Sequence, residues 1–252
     1  MRVKSSCNFS LSSKDEEHQN HYVITCGGAG RGNEMHRLRT IGILNKLKDI
    51  YGLSYEKSPE DLVQINDAEI IETGSGIKIV LVPGYSDKDN LTENLNSFLD
   101  TGEYNVVLSV WSVGGFISTI DAIEEKNGRD ILVGTIDCFT ENTYELFNSK
   151  GYGDKEKLDY LVGKYGAIVA PSFVAMMNAY DGYAEDYREE GSAFQLDQSF
   201  WTAFSSEDFN KQYALSIGMY DNTYSAVDMM EVMEAYTPNA GFETFKKFVE
   251  NK

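Results

Sequence analysis

Five residues carry the side chains best suited to hold a ligand: Arg39, Tyr85, Trp111, Ser112 and Asp137. An arginine fork and a carboxylate make charge-assisted hydrogen bonds to hydroxyl groups. Aromatic rings cover the apolar C–H faces of the same molecules. A few such groups, well placed, suffice for a pocket that recognises a neutral polyhydroxylated solute. Each has a blander reading, Trp111 as core and Arg39 as a surface ion pair. A second candidate is the cluster Gly27-Gly28-Ala29-Gly30-Arg31-Gly32. Gly28, Gly30 and Gly32 spell GxGxG, but the dinucleotide fingerprint needs GxGxxG between a strand and a helix, and Asn33 stands where its last glycine belongs. No clean acidic strand end follows about twenty residues on, and no GK[ST] makes it a P-loop. A tight strand-to-helix turn is the favoured reading, with a nucleotide or phosphate site as the alternative.

Nucleophilic and metal chemistry find little to work with. The histidines are His18, His21 and His36. The first two fall in or beside a polar leader, and His36 reads as a surface residue with no nucleophile beside it. There is no GxSxG elbow, no HExxH, no EF-hand loop and no paired Cys/His spacing. Cys7, Cys26 and Cys138 are too few and too far apart for a metal pattern or a disulfide framework; the last two read as buried thiols. No cofactor is implied.

The elements that must position the five residues are strands alternating with helices. Residues 21–30 (HYVITCGGAG), 77–85 (IKIVLVPGY), 104–111 (YNVVLSVW) and 130–139 (DILVGTIDCF) are strand-like, and each leads into a helical pattern. Alternation of this kind predicts an α/β fold, a parallel sheet with helices on both faces. Ligands of such sheets sit outside the carboxyl ends of the strands, where Tyr85, Trp111, Ser112 and Asp137 fall. Helices are expected over 33–50, with Ile43, Leu44, Leu47 and Ile50 as the apolar stripe, from Asp87 to about Asp100, over 114–126 and over 141–149. A short one is signalled by Ser58-Pro59-Glu60. A fifth strand is expected at 165–169 (YGAIV), broken by Pro171-Ser172 and followed by a helix carrying Met176, Met177 and Tyr180. From residue 191 the alternation stops. The expected organisation is a disordered polar leader over 1–20, an α/β lobe over 21–190 and a mainly helical appendage over 191–252.

The chain has 252 residues, with 40 acidic against 22 basic side chains and a net charge of −18. That balance disfavours nucleic acid and anionic membranes, whose phosphates need clustered Lys or Arg. No apolar run is long enough to span a bilayer, and the leader has no apolar signal-peptide core.

The order of these segments resembles the type 1 periplasmic binding proteins, the sugar-type solute-binding components of ABC importers, over residues 21–187. HYVITCGGAGRGNEMHRLRTIGIL is similar to the opening strand, glycine turn and R-x-R-x-x-G helix of the family's second lobe, with Arg37, Arg39 and Gly42 in that pattern. ILVGTIDCFTEN resembles its V-G-F-D-G strand end, with Asp137 at the aspartate. VPGYSDKDNLTENLNSFLDTGEYNVVLSV resembles its next helix and strand, and YGAIVAPSFVAMM its return toward the hinge. The resemblance implies that Arg39 and Asp137 hold ligand hydroxyls and that Tyr85 stacks on the ligand. Trp111 and Ser112 replace an Asn-Asp pair, and Pro171 replaces a polar residue. It further implies a non-catalytic role, a small polar solute such as a sugar, an ABC permease as partner in the intact family, and an extracytoplasmic location, against a cytoplasmic one for the chain as written. The expectation is a second lobe without the first, with a Rossmann-like enzyme or a ligand-sensing domain as the alternatives.

Overall fold

A computed structural model describes residues 19–164, 169–189, 192–193, 200–217 and 223–250. Its centre is a seven-stranded sheet. The strands are β1 (Tyr22–Gly27), β2 (Glu69–Ile71), β3 (Ile79–Pro83), β4 (Val106–Ser109), β5 (Leu132–Cys138), β6 (Tyr160–Lys164) and, after the two-residue strands β7 (Arg188–Glu189) and β8 (Ser192–Ala193) of a separate hairpin, β9 (Trp201–Ala203). Their order is β2-β3-β1-β4-β5-β6-β9. The five central strands are parallel, and β2 and β9 close the edges in antiparallel sense. All six residues of β1 and all five of β3 are buried, which is why they read as continuous apolar runs rather than alternating ones.

The helices follow from the connections. α1 (Glu34–Tyr51) and α2 (Pro59–Leu62) pack on one face against Tyr22, Ile24, Ile79 and Leu81. α3 (Leu91–Leu99), α4 (Ile117–Asn127) and α5 (Glu141–Asn148) pack on the other against Val23, Val80, Val107 and Val133. The chain thus winds outward from β1 to β3 over one face, and from β3 through β4 and β5 to β6 over the other, as right-handed crossovers require. This is a doubly wound α/β sheet.

Local signals set the helix ends. Asn33 caps α1 through its side chain, Ser58 caps α2, and Thr140 and Thr143 form a reciprocal capping box at α5. Gly128 ends α4 in the left-handed conformation. Several expectations shift. Residues 87–89 form a separate 3-10 turn and Asn90 takes φ 58°, so α3 starts at Leu91 rather than Asp87. In α1 the core stripe is Ile41, Leu44 and Leu47, and Ile50 is exposed. The fifth parallel strand is β6, at Tyr160–Lys164; the expected strand at 165–169 lies outside the described residues except for Val169, which is exposed. Pro171 sits in the first turn of α6 (Ala170–Asn178), the helix expected after the apolar run, where its missing N–H has no helical partner to lose. Met176 and Tyr180 are exposed, while Val174 and Asn178 are buried.

The expected appendage divides in two. β9 and α7 (Ser206–Ser216) complete the main layer, because Phe209 is buried and stacks on Phe139 and Phe147. The rest packs with α6 into a separate small core of Val174, Tyr187, Val232, Met233, Phe245 and Val249, using α8 (Ala226–Glu231) and α9 (Gly241–Glu250). Residues 1–18 of the expected leader lie outside the described residues. Asn20 is tied to the sheet domain through the side chain of Asn105.

Candidate functional site

β1 sends its chain over one face of the sheet and its neighbour β4 over the other. Where two such strands part, the loops at their carboxyl ends leave a crevice. Four loops rim it: residues 28–33 after β1, 84–90 after β3, 110–116 after β4 and 139–140 after β5. All five expected ligand residues lie on these loops or on the helix and strand ends beside them.

The first loop is held by its glycines. Gly27 has φ +53°, a conformation that L side chains rarely adopt, and a Cβ there would lie 2.3 Å from His36 Nδ1. A Cβ on Gly28 would lie 2.4 Å from the Tyr85 hydroxyl, and one on Gly30 2.2 Å from the Ile65 carbonyl oxygen. The cluster is therefore a turn filled by the chain's own atoms, and of its four glycines only Gly32 faces open space. The Gly28 amide donates to His36 Nδ1 at 3.2 Å. That assigns the proton of the neutral ring to Nε2, and burial, followed by the Arg39 charge, holds the ring's pKa below its usual value.

One side of the crevice is aromatic. The Tyr85 hydroxyl accepts from Asn33 Nδ2 at 3.2 Å and lies 3.3 Å from His36 Nδ1. Its ring stands edge-on to Trp111, with centroids 5.4 Å apart, and Trp111 leans on Phe116. Tyr85 keeps 41% of its surface exposed. The Trp111 indole Nε1 is buried with no hydrogen-bond partner among the described residues, a cost of about 1–3 kcal/mol.

The other side is polar. Arg39 reaches across from α1 and donates through Nη1 to the Val110 carbonyl at 2.7 Å. Burial lowers its pKa, opposed by the nearby Cys138 and Asp137. Asp137 Oδ1 accepts from the Cys138 amide at 2.8 Å. Segment 110–112 joins the two sides, and buried hydroxyls clamp it. Ser109 Oγ and Thr135 Oγ1 both donate to the Trp111 carbonyl, at 2.6 and 2.8 Å, and Thr25 Oγ1 donates to Ser109 Oγ at 2.7 Å. Ser112 follows, half-buried, at the start of the 3-10 turn over residues 113–115.

Arg39, Asp137, Ser112, Tyr85 and Trp111 thus share one edge of the sheet. Arg39 has donors left after Val110, Asp137 a second oxygen, Ser112 a hydroxyl, and Tyr85 is partly exposed. The same edge holds His36, which the sequence reading left on the surface. Its hydrogen bonds go to a backbone amide and a tyrosine; no serine or cysteine completes a nucleophile–base pair with it among the described residues. No cluster of His, Cys, Asp and Glu is arranged to hold a metal ion among the described residues. Cys26 is buried and donates to the Ile24 carbonyl, and burial pushes its thiol up to about 12. Cys138 is half-buried rather than buried.

The strongest shifts among the carboxyls lie at the opposite edge. Glu124 accepts the Ile131 amide at 2.8 Å, and Asp159 the Val133 amide at 2.7 Å. Burial, reinforced by neighbouring carboxylates, raises Glu124 to about 7 and Asp159 to about 6. Both cap the entry to β5 and stand away from the crevice.

No protein-family model, curated protein or solved structure matches this chain. Among the described residues, no helix is long and apolar enough to cross a membrane.

Proposed function

We propose that this chain is a ligand-binding α/β lobe that seats a small polar solute at the carboxyl edge and catalyses nothing. One observation carries the proposal: Arg39 on the Val110 carbonyl, Ser112 and Asp137 stand at the same carboxyl edge as the Tyr85–Trp111 aromatic pair, where β1 and β4 part. Donors, acceptors and an aromatic pair at one edge suit a polyol or sugar. The filled glycine turn supports this over the nucleotide alternative, because a phosphate needs the backbone approach that His36, Tyr85 and Ile65 occupy. The residues with spare hydrogen-bonding capacity also include no nucleophile paired with a base, which supports binding over catalysis.

In this reading the lobe works as one half of a solute receptor of an ABC-type importer, closing by a hinge on a second lobe that supplies the remaining contacts. A single lobe leaves one ligand face in water, so the chain alone binds in the millimolar range. Every 1.4 kcal/mol of missing contact is about tenfold in affinity. Saturation-transfer NMR against monosaccharides, polyols and nucleosides tests the reading. Signals from one of these classes, lost in Asp137→Ala and Arg39→Ala, support it. Binding of a dinucleotide instead, lost on Gly32→Val, returns the glycine turn to consideration.

A further inference from the structure

Among the described residues, the face of the sheet that carries α1 is only half covered. α1 and α2 lie over β1 and β3. Beyond α1 a cavity of about 340 Å³ opens over β4, β5 and β6, and α1 is the one helix that lines it among the described residues. Its floor is Leu108, Gly134, Ile136 and Val162. Its wall is α1, where a second stripe of Leu38, Gly42, Lys46 and Ile50, at spacings of four, lines the groove together with Ile41 and Leu47 of the core stripe. The volume falls in the range of small-molecule sites, about 300–1,000 Å³.

Two features say what fits there. Gly42 sits mid-helix, where glycine costs about 0.5–1 kcal/mol against alanine. A Cβ there would meet nothing within 4 Å, so neither packing nor a positive φ requires the glycine; it widens the groove. The charges are one-sided as well. In a chain with 40 acidic and 22 basic side chains, the groove is lined among the described residues by Arg39 and Lys46 and by no carboxylate. Arg39 is engaged by the Val110 carbonyl and lies near Asp137. Lys46 is half-buried and makes no ion pair among the described residues.

The geometry points to an amphiphilic acid as the occupant: an alkyl or aryl body lying over β4, β5 and β6, with its carboxylate on Lys46. This goes beyond the polar-solute reading: Arg39 borders both places, but Lys46 and Gly42, which carry the inference, take no part in the crevice of Asp137, Ser112 and Tyr85.

Calorimetric titration of the full chain with decanoate, decan-1-ol and decyltrimethylammonium tests it. Decanoate is expected to bind at least tenfold more tightly than the alcohol, and the cation not at all. Lys46→Glu should abolish the preference for the acid while leaving the alcohol unchanged. Gly42→Trp should weaken acid and alcohol alike at least tenfold, with an unaltered far-ultraviolet dichroism spectrum. Should Gly42→Trp fail to fold, the Lys46→Glu comparison decides alone. Three results overturn the inference: no decanoate binding, equal affinity for acid and alcohol, or decanoate binding insensitive to Lys46→Glu. A wild-type dimer that Gly42→Trp makes monomeric in sedimentation also overturns it, by assigning the groove to a second copy of the chain.

Discussion

Replacing Glu124 with glutamine should stabilise the protein at alkaline pH and do little at acid pH. Glu124 is 5% exposed, and its Oε1 accepts the Ile131 amide at 2.8 Å. Glutamine keeps that acceptor and removes the charge. Burial, with Asp130, Asp121 and Asp159 nearby, raises the carboxyl from 4.5 to about 7. A carboxyl raised on folding takes up a proton as the chain folds, so its contribution is fully present below 4.5 and is lost as pH rises through about 7. At about 1.4 kcal/mol per pH unit, the gap sets a ceiling of about 3 kcal/mol on what ionised Glu124 costs at pH 8, and partial relaxation brings the expectation to about 1–3 kcal/mol. At pH 5 most of that cost is absent in both proteins. Urea denaturation at pH 8 and pH 5 reads the difference as a shift in midpoint at constant slope. Glu124→Gln should raise the midpoint at pH 8 and change it little at pH 5. Equal effects at the two pH values, or a loss at pH 8, would refute the reasoning.

Other substitutions probe the packing around the site. Gly42→Ala adds a methyl group that meets nothing within 4 Å and should gain about 0.5–1 kcal/mol, seen as a rise of about 1–4 °C in Tm. Gly30→Ala forces a Cβ to within 2.2 Å of the Ile65 carbonyl and should cost about 1–3 kcal/mol in urea denaturation. Phe209→Ala removes the ring that stacks on Phe139 and Phe147 at 5.2 and 4.8 Å. Its expected cost is about 3–5 kcal/mol, which would establish by denaturation that α7 belongs to the main core.

What was legible in the sequence, and what was not, has physical causes. β1, β3, β4 and β5 are visible because central parallel strands are buried on both faces and read as apolar runs. β6 is obscured: Leu161 and Val162 make a short run between Asp159, which caps a strand backbone, and Gly163-Lys164. β2 and β9 are three-residue edge strands paired antiparallel with partners far off in sequence, and local pattern carries little of that. The role of α7 depended on Phe209 finding Phe139 and Phe147, about seventy and sixty residues earlier in the chain. Tyr85, Trp111, Ser112 and Asp137 could be placed at the carboxyl edge because loop and strand-end positions there follow from the strand pattern. His36 was missed because its partner is a backbone amide, which leaves no residue-type signature. Its signal was indirect: a glycine turn whose free amides need an acceptor, and a histidine in the first turn of the next helix. The groove beside α1 was hidden for another reason, since it arises from a helix that does not cover β5 and β6.

The most direct test of the carboxyl-edge site is an amide and indole NMR titration of the ¹⁵N-labelled chain. The protein has two tryptophans, so two indole signals, and Trp201→Phe assigns that of Trp111. A sugar or polyol should move the Trp111 indole and the Gly28 and Cys138 amides together, saturably and in the millimolar range, and Asp137→Ala should abolish the shifts. If no polar solute moves these resonances while a nucleotide or inorganic phosphate shifts the Gly30 and Gly32 amides, the account of this edge as a polar-solute site is contradicted.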